Sequence, residues 1–218
     1  MIQVAELIFQ EGKKMNRIEV SSLTAAPNFI GGWIMEPTDL CDDLVKFFDT
    51  HKEKQKKGTT LTGVDPNKKK TIDITIRPKD LELVGYEVFN FYIEKLFLCY
   101  KDYIEQWPFL AETASHVEIG SFNLQRYQRG DHFKKTHSER TSLASSHRLF
   151  AWMTYLNDVE DGGQTSFSHY DVNVKPQKGK TLIWPAEWTH AHSGNLLNAG
   201  VKYIVTGWMH FPEKPSID

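Results

Sequence analysis

The C-terminal half of this chain consists of short runs in which apolar and polar residues alternate, separated by turn residues. Alternation with a period of two is typical of strands that bury one face. We predict strands at 117–119, 122–126, 148–155, 181–184 and 202–208, with a turn between strands at 158–163. Many short strands joined by turns are typical of a β-sandwich or a barrel, so this half of the chain predicts one of those architectures.

The N-terminal half carries helical periodicity instead. Apolar residues recur at helical spacing after Thr38, which is a candidate N-cap, and this helix is predicted to end near Lys54. A polar loop is predicted at 58–70, a short strand at 72–76, and a long amphipathic helix from 78 to about 105. Helices that precede strands in this way indicate an α+β domain.

Length, charge and cysteine content narrow the class of protein. The 218 residues are enough for one well-buried domain, which we predict over 1–218, with mainly helical support in 1–110 and the strands in 111–213. The net charge of −2 provides no overall basic field for nucleic acid, and no apolar run approaches the roughly 20 residues that span a bilayer. Cys41 and Cys99 are too few for a secreted disulfide framework, so we expect a reducing, cytoplasmic location.

Two lysine-rich patches, at 52–57 and 68–70, are local features of this nearly neutral chain. One interpretation is that they are a solvated helix end and a mobile loop. The other is that they bind an acidic substrate or partner. The sequence leaves both interpretations open.

The pattern with the most specific chemistry is the H-x-E pair His137 and Glu139, followed much later by His192 and Lys202. Residues i and i+2 of a strand point to the same side, so His137 and Glu139 can reach one metal ion together. Two imidazoles and one carboxylate on one side of a metal are the ligand set of non-haem Fe(II) oxygenases. His190 competes with His192 for the third position. Lys202 could supply a fixed positive charge for a cosubstrate that carries a carboxylate.

The residues around this pattern strengthen it. Over about the last hundred residues the chain resembles the prolyl 4-hydroxylase-like branch of the 2-oxoglutarate/Fe(II) dioxygenases. The matching stretches occur in family order, at 127–130, 137–139, 148, 155–157, 162–167, 175–179, 192–194, 200–202 and 208–210. The chain departs from the family at Glu139, where Asp is usual, and by one extra residue between Tyr127 and His137.

The resemblance implies a double-stranded β-helix, or jelly-roll, over 111–213, with the N-terminal helices packed on its major sheet. It implies Fe(II) and 2-oxoglutarate as cofactors, with ascorbate as a further candidate. His137, Glu139 and His192 then occupy the positions of the iron ligands. The match of 192–194 favours His192 over His190, which is expected behind the ligands or at the rim.

Six further residues are candidates for the same site. By resemblance, Lys202 and Tyr127 bind the distal carboxylate of 2-oxoglutarate, and Thr206, on the same strand face as Lys202, is a candidate third donor. The family positions nearest the substrate or the iron correspond to Arg148, Trp208 and His210. Each candidate also has a plain structural interpretation, as a packed core residue or an exposed strand residue.

The implied activity is oxidative decarboxylation of 2-oxoglutarate coupled to hydroxylation of an unactivated C–H bond. The expected substrate is a prolyl residue in a peptide or protein. One alternative is the same chemistry on another amino-acid side chain, a free amino acid or a small metabolite. Two others are a non-catalytic jelly-roll binding module and a zinc hydrolase, which would not need Lys202. No nucleic-acid or membrane partner is expected, and the sequence does not indicate the oligomeric state.

Overall fold

The structure is a computed structural model that describes residues 2–3, 15–20, 27–60 and 63–212. In these ranges the strands are β1 (Ile2–Gln3), β2 (Asn16–Arg17), β3 (Gly31–Ile34), β4 (Lys56–Lys57), β5 (Ile72–Ile76), β6 (Glu118–Ile119), β7 (Phe122–Gln128), β8 (Phe133–His137), β9 (Arg148–Tyr155), β10 (Thr165–Phe167), β11 (Val172–Val174), β12 (Lys180–Pro185), β13 (His192–Gly194) and β14 (Val201–His210). The α-helices are α1 (Asp39–Thr50), α2 (Glu87–Glu105) and α3 (Pro108–Thr113). Short 3-10 helices lie at Lys52–Lys54, Pro78–Glu82, Leu143–Ser145 and Trp188–His190. No helix in the described ranges has both the length and the apolar character needed to cross a membrane.

The strands form two antiparallel sheets. Within the described residues the larger sheet has the order β2-β3-β12-β9-β14-β7-β5-β4, with β6 on β14 and β1 on β6, and the smaller sheet has the order β11-β10-β13-β8. Two sheets of this kind, supported by N-terminal helices, are the predicted α+β jelly-roll, so the fold prediction is confirmed. The N-terminal half also supplies β3 and β5 to the larger sheet, so it is less purely helical than predicted.

The central strands of the larger sheet are buried on both faces. Successive residues of a strand point to opposite sides. In β9, Phe150 and Trp152 therefore join the core that contains α1 and α2, whereas Met153 and Tyr155 join the core that faces the smaller sheet. This double burial explains why 148–155 contains almost no exposed side chain.

Buried hydrogen bonds attach α2 to the larger sheet. The hydroxyl groups of Tyr92 and Thr154 are 2.8 Å apart, and Trp152 Nε1 donates to the Tyr92 hydroxyl at 3.2 Å. Thr154 also pairs with Thr181 at 2.8 Å. These polar groups are fully buried, and a buried polar group without a partner is costly, so the network fixes the position of the helix on the sheet.

Three sequence predictions need adjustment. The helix predicted from 78 begins only at Glu87, because Gly85 has a φ of +91°, outside helical space, and the chain there leaves Val84 exposed. The strands predicted after Trp107 are preceded by α3, which has Pro108 at its first turn, a position that tolerates proline. Thr38 occupies the predicted N-cap of α1 but its side chain makes no capping hydrogen bond.

We predict that Gly207→Ala destabilises the fold. Gly207 lies opposite Trp152 in the pairing of β14 with β9, and a Cβ atom there would lie 2.4 Å from Cη2 of Trp152 and 2.7 Å from Cβ of Phe122. Overpacking of this kind should lower the free energy of unfolding by about 1–3 kcal/mol, measured by urea unfolding. Val201→Ala, at the exposed start of the same strand, should change it by less than about 0.5 kcal/mol. Equal effects of the two changes would contradict the packing.

Candidate metal centre

Strand register brings two histidines together. His137 ends β8 and is paired with His192, the first residue of β13, and their ring centroids are 4.5 Å apart. Glu139 follows β8, and its backbone N–H donates to the Ala186 carbonyl at 3.2 Å, as does that of Arg140 at 3.0 Å. Glu139 Oε1 lies 3.6 Å from His137 Nε2 and 3.4 Å from His192 Nε2. One ligand atom from each of the three residues lies within 4.8 Å of the other two, so they could hold one metal ion.

The hydrogen bonds of the two imidazoles fit metal binding. His137 Nδ1 lies 2.8 Å from the Lys135 carbonyl, and His192 Nδ1 lies 2.8 Å from the His190 carbonyl. A carbonyl only accepts, so both Nδ1 atoms carry the proton, and a neutral ring then has its lone pair on Nε2. Both lone pairs point toward the Glu139 carboxylate, and such convergence needs a cation between the groups. A proton can meet this need between one pair of atoms, whereas a divalent metal ion meets it for all three, and metal-bound histidines are oriented by this kind of carbonyl contact.

The second carboxylate oxygen of Glu139 is also held. Trp208 Nε1 donates to Oε2 at 2.7 Å, and Arg148 Nη1 lies 3.7 Å from Oε2 while donating to the Glu139 carbonyl at 3.0 Å. The Arg148 guanidinium lies 3.7 Å from the centre of the Trp208 ring. Burial alone would raise the pKa of Glu139. In the metal-free protein a proton on His192 Nε2 would donate to this carboxylate, and that hydrogen bond and charge, with smaller contributions from His137 and Trp208, lower the pKa of Glu139 to about 2. Glu139 is therefore a carboxylate at neutral pH.

Aromatic rings shield the histidines from water. The Phe133 ring stacks on His137 at 3.9 Å, and Phe167 and Trp184 lie 5.5 and 5.1 Å from His192. Burial, and then the nearby charge of His192, lower the pKa of His137 to about 4. His137 is therefore neutral at physiological pH, which is the form that binds a metal.

Lys202 is the second notable group of the pocket. It is 2% exposed, its Nζ donates to the Gly163 carbonyl at 2.8 Å, and it lies 4.2 Å from the centre of the Tyr127 ring, because the two residues are cross-strand neighbours. No carboxylate pairs with it within the described part of the chain. Burial lowers the pKa of Lys202 to about 7. A buried ammonium group without an anion is costly, so this position is suited to an anionic ligand.

A buried polar network continues from Tyr127. Its hydroxyl donates to Gln125 Oε1 at 2.9 Å, and Gln125 Nε2 donates to Asp73 at 3.2 Å. Asp73 also accepts from Lys69 at 2.7 Å, and Lys69 lies 5.6 Å from the centre of the Phe133 ring. No motif in the sequence indicated Lys69, Asp73 or Gln125 as site residues. Of the two interpretations of the patch at 68–70, the mobile loop does not fit Lys69, which is 6% exposed beside Asp73 and the Phe133 ring.

The remaining candidates are only partly brought to the site. Thr206 lines the pocket, but its hydroxyl donates to the Trp152 carbonyl at 2.8 Å. The structure does not place His210 in the pocket: it lies against His147 at 4.4 Å and against Gly120. The pairing of β14 with β9 shifts register between Met209 and His210, so alternation along β14 no longer predicts its surroundings. His190 is not one of the three converging residues. Its carbonyl accepts from His192 Nδ1 and so orients the His192 ring.

The three candidate metal ligands, Lys202 and the polar network behind Tyr127 line one cavity between the two sheets, with a volume of ≈ 940 Å³. This volume is near the upper end of the roughly 300–1,000 Å³ of typical ligand pockets, so the cavity has room for a small cosubstrate and part of a larger substrate.

Comparison with known proteins gives a matching picture. Residues 122–210 match the sequence profile of the 2OG-Fe(II) oxygenase superfamily. The probable prolyl 4-hydroxylase 9 of Arabidopsis thaliana is 30% identical over 121 residues, which cover 44% of this chain and 41% of that protein. The chain spans less than half the length of the curated relatives that it matches. The resemblance predicted from the motifs is confirmed.

Solved structures share the fold. A prolyl-4-hydroxylase from Pseudomonas putida superposes with a TM-score of 0.65 at 17% identity, covering 85% of this chain and 94% of its own. A Trichoplax adhaerens prolyl hydroxylase, solved in complex with a peptide fragment of the hypoxia inducible factor oxygen degradation domain, has a TM-score of 0.62 at 16% identity, covering 84% of each chain. Identities this low establish a common fold alone.

We predict that Lys202 makes stability depend on pH. Its pKa is about 7 in the folded protein, against about 10.4 for an ordinary lysine, so between these values the unfolded state binds more protons. The free energy of unfolding should then rise with pH, by at most about 1.4 kcal/mol per unit from this residue. Urea unfolding of metal-free protein at about pH 7.5 and about pH 9.5 measures the rise. Lys202→Met should remove the contribution of Lys202 to this rise, whereas the exposed control Lys134→Met should retain it. An unchanged rise in Lys202→Met would show that Lys202 is not the group responsible.

Proposed function

We propose that the protein is an Fe(II)- and 2-oxoglutarate-dependent dioxygenase that hydroxylates a prolyl residue in a peptide or protein, since its jelly-roll region, residues 122–210, matches the 2OG-Fe(II) oxygenase superfamily. The observation that carries the proposal is the convergence of three ligand atoms in the same cavity as a buried lysine that has no acidic partner among the described residues. A metal site alone would also suit a zinc hydrolase. The unpaired Lys202 is what favours a cosubstrate with a distant carboxylate.

In this proposal His137, Glu139 and His192 would hold Fe(II). Bound iron and 2-oxoglutarate supply the oxidising chemistry, whereas the protein supplies position, dryness and charge. Trp208 fixes the carboxylate of Glu139, and Arg148 holds both the Glu139 backbone and the Trp208 ring. Trp208 and Arg148 are therefore positioning residues. Groups that hydrogen-bond to a metal-binding carboxylate commonly tune the affinity of the site.

Lys202 binds the distal carboxylate of 2-oxoglutarate. Its ammonium group has three N–H donors and uses one on Gly163 within the described contacts, so two are available to a carboxylate. The Tyr127 ring forms the adjacent wall of the pocket. Its hydroxyl already donates to Gln125, so Tyr127 contributes packing and not a hydrogen bond to the cosubstrate. Fe(II) and 2-oxoglutarate are the cofactors of the superfamily, and ascorbate stays a prediction for this chain.

The substrate assignment has separate support. The curated relatives are prolyl 4-hydroxylases, and one structural neighbour was solved with a peptide fragment. The cavity is open enough to be lined by exposed strand residues such as Lys56 and Thr136, as a site for a peptide requires. Cys41 and Cys99 are buried free thiols, in keeping with the reducing, cytoplasmic location that we propose.

We predict that iron binding depends on Glu139. Anaerobic addition of Fe(II) and 2-oxoglutarate to the wild-type protein should produce the weak visible charge-transfer band of such complexes, and prolyl peptides should stimulate succinate release. Glu139→Ala should abolish both, and Glu139→Asp should keep part of the activity. Trp208→Phe should weaken iron binding by roughly tenfold, because the carboxylate loses its hydrogen bond. Glu160→Ala is the exposed acidic control; wild-type iron affinity in Glu139→Ala would show that the ligand assignment is wrong.

We predict that Lys202 sets the affinity for 2-oxoglutarate. A charge-assisted hydrogen bond contributes about 1.5–3 kcal/mol, and each ~1.4 kcal/mol is a tenfold change in affinity. Lys202→Met, which keeps most of the apolar stem, should raise the 2-oxoglutarate concentration needed for half-maximal turnover by roughly ten- to a hundredfold, with iron affinity nearly unchanged.

Two comparisons sharpen this measurement. Lys134→Met changes the total charge equally at an exposed position on β8, and it should leave the 2-oxoglutarate requirement unchanged. Pyruvate has the 2-oxo acid but no distal carboxylate, so it should not distinguish Lys202→Met from the wild type. A Lys202→Met variant that binds 2-oxoglutarate like the wild type would remove the main support for this cosubstrate.

A further inference from the structure

The pocket is more positively charged than the chain that contains it. Eight lysine or arginine side chains and four carboxylates line the cavity, although the whole chain has a net charge of −2. Each of the four carboxylates has a pocket cation within 2.7–4.0 Å. The excess is therefore local, and it consists of cations that no pocket carboxylate neutralises.

Four lysines make up this excess: Lys56, Lys57, Lys135 and Lys202. None of them forms an ion pair in the described part of the chain. Under the proposed function, Lys202 takes the distal carboxylate of 2-oxoglutarate. Lys56, Lys57 and Lys135 remain, and all three are exposed, so an incoming substrate can reach them.

Lys135 is placed next to the metal site by its strand. It lies on β8 between Phe133 and His137, and residues i and i+2 of a strand share a face. Its own carbonyl accepts from His137 Nδ1. Two residues along an extended strand span roughly 6.6–6.8 Å, so a charge near Lys135 lies about two residues from a peptide residue at the metal, if the peptide is extended.

Lys56 and Lys57 extend the same positive wall. They form β4, which is the last strand of the larger sheet in the described order, paired with β5. The chain after them is tightly packed: a Cβ atom at Gly58 would lie 2.0 Å from the Thr71 hydroxyl and 3.1 Å from Asp73. Asp73 binds Lys69, which lies under the Phe133 ring that stacks on His137. Continuous contacts therefore connect the backbone that follows β4 to the metal site.

We propose that the enzyme selects acidic peptides, with Lys135 binding a carboxylate about two residues from the hydroxylated residue and Lys56 and Lys57 binding acidic residues farther along. This inference rests on the proposed function and specifies its substrate class. It also gives one of the two lysine-rich patches of the sequence a role, since Lys56 and Lys57 line the pocket whereas Lys52 does not.

The test uses two prolyl peptides of equal length that differ only in Glu or Gln at the positions flanking the proline. Binding to the wild-type protein loaded with Fe(II) and 2-oxoglutarate under anaerobic conditions is measured by fluorescence anisotropy of labelled peptides, and hydroxylation is measured by mass spectrometry. Exposed charge pairs each change affinity by up to about fivefold, so three lysines should favour the Glu peptide by roughly tenfold or more at low salt. About 0.5 M salt should remove most of this preference, since it shortens the screening length to a few ångströms.

The variants locate the effect. Lys135→Gln, and separately Lys56→Gln with Lys57→Gln, should each reduce the ratio of Glu-peptide to Gln-peptide affinity by roughly two- to fivefold or more. Lys134→Gln is the matched control, because it removes the same charge from the neighbouring residue of β8, which points to the other side and does not line the pocket. It should leave the ratio unchanged.

Equal affinity of the wild type for the two peptides would overturn the proposal, and so would a Lys134→Gln effect as large as that of Lys135→Gln. These results differ from a failure of the proposed function. Equal hydroxylation of both peptides would overturn the acidic preference alone. Preferential binding of the Glu peptide with no hydroxylation or succinate release from any peptide would support the basic wall and overturn the dioxygenase assignment.

Discussion

The burial of β9 and β14 on both faces is the constraint on which the rest of the structure depends. Their side chains must satisfy a helical layer on one side and the smaller sheet on the other, so each residue is assigned to one layer by the period of two. A shift of one residue would exchange the two faces. Gly207 illustrates how strict this is, because its lack of a side chain leaves the space that the Trp152 ring fills.

The same register places the polar groups of the pocket. Lys202 is opposite Tyr127 in the pairing of β14 with β7, and His137 is opposite His192 in the smaller sheet. Neither contact depends on a loop. A lysine on a doubly buried strand is costly to desolvate, and here burial lowers its pKa to about 7. The surrounding packing offsets the desolvation cost of Lys202 before any ligand binds. The ammonium group is therefore already in position for an anionic ligand.

Periodicity and motif spacing predicted much of this arrangement. The strand at 148–155 was predictable to the residue because double burial leaves a long apolar run, and the H-x-E pair with His192 and Lys202 identified the groups that the structure brings together. His210 shows the limit of alternation, since a register shift between Met209 and His210 has no signature in the residues themselves.

The network behind Tyr127 was partly within reach of the sequence. Phe122 and Leu124 alternate with polar residues in the strand predicted at 122–126. The same alternation places Gln125 and Tyr127 together on the opposite face, toward the pocket. The partners Lys69 and Asp73 were not predictable, because a lysine in a polar segment is normally solvated. Its burial arises from the Phe133 ring, which belongs to a strand distant in sequence.

The contacts around Glu139 explain how the site accommodates Glu where the family usually carries the shorter Asp. An extra side-chain torsion adds freedom that metal binding would have to remove. Here the backbone is fixed to Ala186, one carboxylate oxygen faces the histidines, and the other accepts from Trp208, so the arm is already confined at both ends. Arg148 stabilises this arrangement twice, by donating to the Glu139 carbonyl and by packing on the Trp208 ring. Trp208 and Arg148 are two of the three residues that the resemblance places near the substrate or the iron, and in this structure both contact Glu139. The longer acid and Trp208 therefore fit together in one packed arrangement.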